Sequence, residues 1–151
     1  MNGKEKSFAD RLIGKTLENI FCQADILEFV FSDTDLVLHA MGLTRVIKNG
    51  DILITSFDYQ SWDGENSENN DMYLNVEKYK DDITGGTVVS VSVSNVNDFK
   101  IEFDNGAVIE CLVANAYPHY ENETEQWVLF EHRGDGSGRF LTIYNKSVDF
   151  E

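Results

Sequence analysis

The sequence has little positive charge. Twelve Lys and Arg face twenty-seven Asp and Glu among 151 residues, giving a formal net charge of -15. A surface of this sign repels phosphate groups, so the composition argues against nucleic acid and anionic membranes as direct partners. A basic protein would instead be attracted.

Long apolar runs are also missing. The opening stretch MNGKEKSFADRLIG has basic residues but no apolar core that could serve as a secretory signal or an anchor. No later run approaches the length of a membrane span. The sequence therefore predicts cytoplasmic residence.

Cysteine is scarce, and nothing near it indicates a metal site. Cys22 and Cys111 lie in apolar, strand-like segments, which predicts buried free thiols in a reducing compartment. His39, His119 and His132 show no C-x-x-C or H-x-x-x-H spacing with these cysteines or with each other, so no metal and no cofactor is predicted. A Cys111 and His119 nucleophile pair has no local signature.

Two other familiar site patterns are incomplete. The glycine-rich run 133–138 lacks the Lys-Ser/Thr ending of a phosphate loop, so it is interpreted as a flexible turn. The stretch 58–71 has the composition of a calcium loop, but alignment on its glycine places Tyr59 at the first ligand position and Asn70 where the bidentate Glu belongs. We therefore expect no catalytic and no metal-binding residues.

Composition and patterning predict one domain, 1–151, of the α+β class. The chain is 42% hydrophobic, which suits a sizeable core. A short helix is expected from near Ser7, with Asp10 in the manner of a capping box and Gly14 at its end. The hairpin dipeptides Asn49-Gly50 and Asn105-Gly106 mark turns between strands.

The strands are expected to be antiparallel. Residues 72–79 fit either helix or strand, with a weak preference for strand. Val89, Val91 and Val93 alternate with serines and predict a half-buried strand. The full set of predicted strands covers residues 17–24, 26–31, 36–41, 43–48, 52–57, 72–79, 89–93, 99–103, 107–113, 127–131 and 140–144.

The chain shows a faint internal repeat. Residues 14–40 parallel residues 85–113 as strand, strand, polar turn and strand. A duplication with halves 14–70 and 85–151 would explain this, although two unrelated meanders would also look partly alike. Either reading gives a mostly antiparallel β architecture of two meander-like halves with one or two short helices.

Aromatic residues stand among acids in two places. The stretch 58–71, DYQSWDGENSENND, is here called the acidic loop, and no Lys or Arg occurs from residue 49 to residue 77. A second cluster, residues 117–127, lies in a span 101–132 that also lacks both. Such a loop can simply be solvated. Exposed rings rimmed by charge are also typical anchors of protein interfaces. The residues predicted to bind a partner are Asp58, Tyr59, Trp62, Asp63, Glu65, Glu68, Tyr117, His119, Tyr120, Glu121, Glu123 and Glu125.

Four features of the chain occur together: small size, acidity, absence of catalytic signatures, and segments such as IEFDNGAVIECLV and YENETEQWVLFEHRGDGSG. In this general character the chain resembles the small bacterial immunity proteins of contact-dependent growth inhibition systems. The resemblance implies a non-enzymatic cytoplasmic antitoxin that binds one cognate toxin and blocks it. A toxin nuclease would suit the charge, because its active site must be basic to hold phosphates.

Two alternatives remain open. A small-molecule binder or enzyme built on a β-rich cup would place Trp62 or Trp127 in a deep cavity with convergent polar groups. A housekeeping interaction domain would have no toxin as its partner.

Overall fold

The computed structural model describes residues 1–116 and 123–151 of the chain. Within these residues there are eleven strands in two antiparallel sheets, two α-helices and a 3-10 helix, which confirms the α+β prediction. The elements are α1 Gly3–Asp10, β1 Thr16–Gln23, β2 Ile26–Ser32, β3 Leu36–Ala40, β4 Leu43–Lys48, β5 Asp51–Thr55, the 3-10 helix Ser56–Ser61, α2 Asp71–Ile83, β6 Val88–Val93, β7 Phe99–Phe103, β8 Ala107–Leu112, β9 Glu125–Glu131, β10 Phe140–Tyr144 and β11 Val148–Phe150.

Each sheet combines strands from both halves of the chain. The first sheet has the order β1-β2-β3-β9-β10-β11, and the second has the order β5-β4-β8-β7-β6. Buried side chains of both sheets form one hydrophobic cluster. Phe99 of the second sheet stacks on Trp127 of the first, with ring centroids 4.5 Å apart, so the sheets pack face to face. Trp127 is 0% exposed and therefore lies in the core.

The topology repeats. Each half contains a helix, then a three-stranded meander in one sheet, then strands that belong to the other sheet. Strand β4 of the first half pairs with β8, the last strand of the second meander, and β9 pairs with β3, the last strand of the first. The equivalent segments include 14–40 and 85–113, the pair that the sequence matched. A common origin of the halves stays a prediction.

The hairpin predictions hold. Asn49 and Gly50 join β4 to β5 with φ of 54° and 81°, left-handed values that favour these two residue types. Asn105 and Gly106 join β7 to β8 as expected. Strand β11 was not predicted, because its three residues carry too short a pattern. Among the described residues, no helix is both long and apolar enough to cross a membrane.

The first helix starts earlier than the sequence analysis placed it. Asn2, not Ser7, caps α1, and its side chain accepts hydrogen bonds from the backbone N–H groups of Lys4 and Glu5. The Glu5 side chain in turn accepts from the Asn2 backbone N–H, which completes a capping box. The Ser7 and Asp10 pair therefore lies inside the helix and near its end.

The preference for strand at residues 72–79 is wrong, because this segment is part of α2. Asn70 caps the helix by accepting a hydrogen bond from the Tyr73 N–H at 2.8 Å. Met72, Val76 and Ile83 are buried at helical spacing. The helix packs against β1, β5 and the 3-10 helix.

The serine-valine strand is present as β6, but its alternation is interrupted. A bulge lies between Val88 and Ser90 in the pairing with β7. It turns Val88 into the core and leaves Val89 55% exposed, contrary to the expectation that Val89 faces inward. Val91 is buried as predicted.

A buried carboxylate ties the start of the chain to its end. Glu131, at the end of β9, has a side chain only 5% exposed and accepts hydrogen bonds from Arg11, Arg133 and the backbone N–H of Arg139. Asp35 forms ion pairs with Arg11 and Arg133. Burial acts to raise the pKa of Glu131, but the Arg139 N–H and the two guanidinium groups hold this pKa below its ordinary value.

We predict that Glu131→Gln lowers the free energy of unfolding by about 2 kcal/mol near neutral pH, because hydrogen bonds to a charged group are lost. A carboxylate whose pKa is depressed by folding stabilises the protein above its unfolded pKa, near 4.5. That contribution disappears as pH falls through the lower, folded pKa. Urea unfolding across acidic and neutral pH should therefore show the variant and the parent converging in acid.

The control is Glu18→Gln, since Glu18 is exposed and forms no hydrogen bond or ion pair in the described part of the chain. It should change stability by less than about 0.5 kcal/mol. A difference between Glu131→Gln and the parent that does not vary with pH would contradict the assignment.

The glycine-rich turn before β10 contains one glycine that has no room for a side chain. A Cβ on Gly138 would overlap the carbonyl oxygen of Glu131, whereas one on Gly134 would meet nothing within 4 Å. Neither glycine has a left-handed φ, so the two differ in space rather than in strain. We predict that Gly138→Ala destabilises by about 2 kcal/mol, as overpacking does, and that Gly134→Ala is nearly neutral. Thermal unfolding of the two variants would test this, and equal midpoints would contradict it.

Candidate functional site

The acidic loop begins inside the 3-10 helix and ends in the first turn of α2. Thr55 closes β5 and caps the 3-10 helix, its hydroxyl accepting from the Phe57 N–H at 3.3 Å. The 3-10 helix contacts β4, β5 and α2. The loop is thus fixed at both ends to elements that belong to the core.

Asp63 organises the middle of the loop. One of its carboxylate oxygens accepts from the backbone N–H groups of Glu65 and Asn66, at 2.9 and 3.1 Å. The other accepts from the Asn69 side chain at 2.7 Å. These hydrogen bonds hold the pKa of Asp63 below its usual value, and the bond from the Asn69 side chain has the largest effect. Asp63 therefore serves the conformation of the loop, a role that the sequence analysis did not distinguish from partner contact.

Further side-chain bonds close the loop onto α2. The Ser61 hydroxyl donates to the Asp58 carbonyl at 2.8 Å and accepts from the Asp71 N–H at 2.7 Å. Asn70 is buried, and besides capping α2 it donates to the Ser67 carbonyl at 3.0 Å. Small polar side chains that bond to nearby backbone hold an exposed segment in one shape. The loop is solvated and also ordered.

The two rings of the loop lie against each other. Tyr59 and Trp62 stack with centroids 5.6 Å apart and an interplanar angle of 20°. Tyr59 packs against the hydrophobic core, while Trp62 is 39% exposed and donates its indole N–H to the Asn66 carbonyl at 2.7 Å. Trp62 thus presents a fixed aromatic surface whose polar group is already satisfied, as an interface anchor requires.

The remaining carboxylates of the loop have no internal cation. No ion pair among the described residues includes a carboxylate of residues 58–71. Glu65 and Glu68 are exposed, and Asp58 is partly exposed. Their charge is therefore directed to solvent or to an external partner.

The second cluster is described only in part. Glu123 is exposed but tied to the turn before β11, because it accepts from the Lys146 N–H at 3.0 Å and from the Ser147 hydroxyl. Glu125 is exposed at the start of β9. The other predicted contacts of this cluster lie outside the described residues; they are Tyr117, His119, Tyr120 and Glu121.

A groove of about 370 Å³ connects the bases of the two clusters. Its walls include Ser56 and Phe57 before the acidic loop, and Asn115, Thr124 and Gln126 beside the second cluster. The two clusters do not occupy equivalent places in the two halves, since one follows β5 and the other follows β8. Their flanking residues are nonetheless neighbours at this groove.

Phe57 is the residue of this face that the sequence analysis missed. It was expected to end a strand, but β5 stops at Thr55 and the Phe57 side chain is 60% exposed. The signal was available, because Thr55 followed by Asp58 three residues later has the pattern of a capped helix start.

The cysteines and histidines do not assemble into a reactive centre in the described residues. Both cysteines are free, but only Cys111 is buried as predicted, and Cys22 is half-buried. Burial raises the pKa of the Cys111 thiol to about 12, so this thiol stays protonated and unreactive. His39 lies 3.6 Å from Glu28 and edge-on to Phe130 on the outer face of the first sheet. Residues 1–116 and 123–151 contain no group of three His, Cys, Asp or Glu side chains placed to hold a metal ion.

No family model matches this chain, and no curated protein or solved structure matches it either.

We predict that Asp63→Ala loosens the acidic loop without unfolding the protein. Loss of the Asp63 acceptor frees the backbone N–H groups of Glu65 and Asn66, so hydrogen exchange at these two amides should become faster. Glu65→Ala is the matched control, because it removes an exposed carboxylate that organises nothing. Hydrogen exchange measured by NMR would test this, and unchanged exchange in Asp63→Ala would contradict the organising role.

Proposed function

We propose that this chain is an immunity-type binding protein that neutralises a basic toxin domain, a nuclease in our hypothesis, through the acidic loop and the groove beside it. It acts in the bacterial cytoplasm by protein-protein contact and has no catalytic role of its own. The observation that carries the proposal is an ordered loop whose outward carboxylates have no cation partner within the described structure.

Charge supports this choice of partner. A net charge of -15 attracts a cationic protein over the range of the Debye length and disfavours acidic competitors. At contact, Glu65 and Glu68 can accept hydrogen bonds from Lys and Arg of the partner, which are stronger than neutral ones. A nuclease presents such cations because it binds phosphates.

The shape of the loop supports tight rather than transient binding. Residues that are ordered before binding lose little conformational entropy when they bind. The Asp63 bonds and the Tyr59 stack hold Trp62 in place, and Phe57 is exposed at the adjacent groove. Aromatic residues that fill pockets of a partner slow its release.

The rival hypothesis, a β-rich cup that binds or converts a small molecule, has less support. It expects Trp62 or Trp127 to line a deep cavity. Trp127 is instead packed on Phe99 with its indole N–H bonded to the Asn97 carbonyl at 2.8 Å, and Trp62 lies on the surface.

The experiment uses the product of the gene immediately upstream, since an immunity gene lies just downstream of its toxin gene. Co-expression should restore growth to cells that produce that protein, and the purified pair should bind more weakly as salt increases. Glu65→Lys with Glu68→Lys should weaken binding about tenfold or more, because attraction becomes repulsion at the contact.

The control is Glu18→Lys with Asp81→Lys, two exposed acids outside the loop. Either pair of substitutions raises the net charge from -15 to -11, since each replaces a negative by a positive group. The control should therefore lose only the long-range part of the attraction. If both double variants lost the same affinity, the loop would not be part of the interface. The absence of any complex would overturn the proposed function.

A further inference from the structure

A groove of about 840 Å³ with the opposite sign of charge lies between α1 and the strands β10 and β11. Lys4, Arg11 and Arg139 contribute three cations to its lining, and Phe8 and Phe150 contribute two rings. No residue of the acidic loop lines it. In a chain with more than twice as many acids as bases, three cations around one groove form a local reversal of charge.

The two arginines and the two rings form one chain of contacts, in which the rings are tilted by 52° to each other. The Arg11 guanidinium lies 5.1 Å from the centroid of Phe8, Phe8 lies 5.1 Å from Phe150, and the Arg139 guanidinium lies 4.0 Å from the centroid of Phe150. A guanidinium that lies over a ring keeps the N–H groups of its edge available as donors. The rings fix the position of Arg139 without using its hydrogen bonds.

The three cations differ in how they are satisfied. Arg11 bonds to Glu131 and Asp35. The side chains of Lys4 and Arg139 form no ion pair or hydrogen bond within residues 1–116 and 123–151. The backbone N–H groups of Lys4 and Glu5 are bonded to the Asn2 side chain, so these two amides of the helix end are not free donors. The side chains of Lys4 and Arg139 are therefore available to bind an anion.

Beside this charge lies an unpaired strand edge. Strand β11 is the last strand of the first sheet, and among residues 1–116 and 123–151 it pairs with β10 alone. In its register, the backbone of Glu151 exchanges hydrogen bonds with Phe140, so the N–H and C=O of the adjacent Phe150 point away from β10. An extended polypeptide can add to such an edge.

We propose that this groove binds an extended segment of a partner polypeptide that carries one carboxylate next to apolar side chains. The carboxylate bonds to Arg139 and Lys4, the apolar side chains cover Phe8 and Phe150, and the backbone pairs with β11. A single carboxylate matches the planar fork of Arg139. A polyanion such as nucleic acid would be repelled by the net charge of the protein.

The test titrates the full isotope-labelled chain with the pentapeptide LVEVL, acetylated and amidated, while amide signals are followed by NMR. Binding should shift the signals of Ser7, Phe8 and Phe150. The uncharged counterpart LVQVL should bind about tenfold more weakly, because a hydrogen bond to a charged pair is lost. Arg139→Gln should reduce the affinity for LVEVL to that level, and Lys4→Gln should reduce it less.

The matched control is Lys78→Gln, since Lys78 lies 5.0 Å over the ring of Tyr79 and outside the groove. It should leave the affinity for LVEVL unchanged, as should Glu65→Lys with Glu68→Lys in the acidic loop, so this proposal is tested separately from the proposed function. Equal binding of the two peptides, or an Arg139→Gln variant that binds like the parent, would overturn it. Inorganic phosphate that shifts the same signals while LVEVL does not would identify a simple anion site and would also overturn it.

Discussion

The rest of the structure depends on two long-range strand pairings, β3 with β9 and β4 with β8. Together with the isolated bridge of Thr16 with Thr87, they are the backbone pairings in the described residues that join strands of the two halves. Neither half can complete a sheet without strands from the other. Such pairings close large loops before they gain stability, which makes them the slow and cooperative part of folding. They also place the bases of the acidic loop and the second cluster side by side.

The sequence predicted what local chemistry decides. Asn49-Gly50 located a hairpin because that turn needs two left-handed residues. The prediction for residues 72–79 was wrong because the apolar pattern of eight residues fits both the helix period and the strand period. Over the longer helix, the burial of Met72, Val76 and Ile83 fits only the helix period. The alternation of valine and serine breaks at the bulge, where Val88 and Val89 are adjacent, but this doublet does not indicate which of the two valines faces the core. The strand exchange was also invisible, since no local pattern specifies which distant strand is the neighbour.

The site shows the same division. Composition located the acidic loop and its rings, but it could not assign different tasks to carboxylates of one chemical type. Asp63 holds the loop in shape and Glu65 faces outward, although both are acids in the same short stretch. The basic groove was beyond prediction for another reason. Its contacts join Phe8 and Arg11 near the start of the chain to Arg139 and Phe150 near its end, and only the folded sheets bring these pairs together.

The acidic surface of the protein and the basic groove beside α1 differ in the distance over which they act. This distance determines which partners each of them can select. The net charge of -15 is felt by any macromolecule that approaches within about a Debye length, roughly 8 Å at physiological salt. Encounter is therefore governed by the acidic character of the whole protein. The field of Lys4 and Arg139 is opposed by that background and becomes effective only at contact, where the guanidinium edge can reach an acceptor. A partner that is basic overall and carries one isolated carboxylate on an extended segment would satisfy both surfaces, because attraction by the first brings the segment within reach of the second.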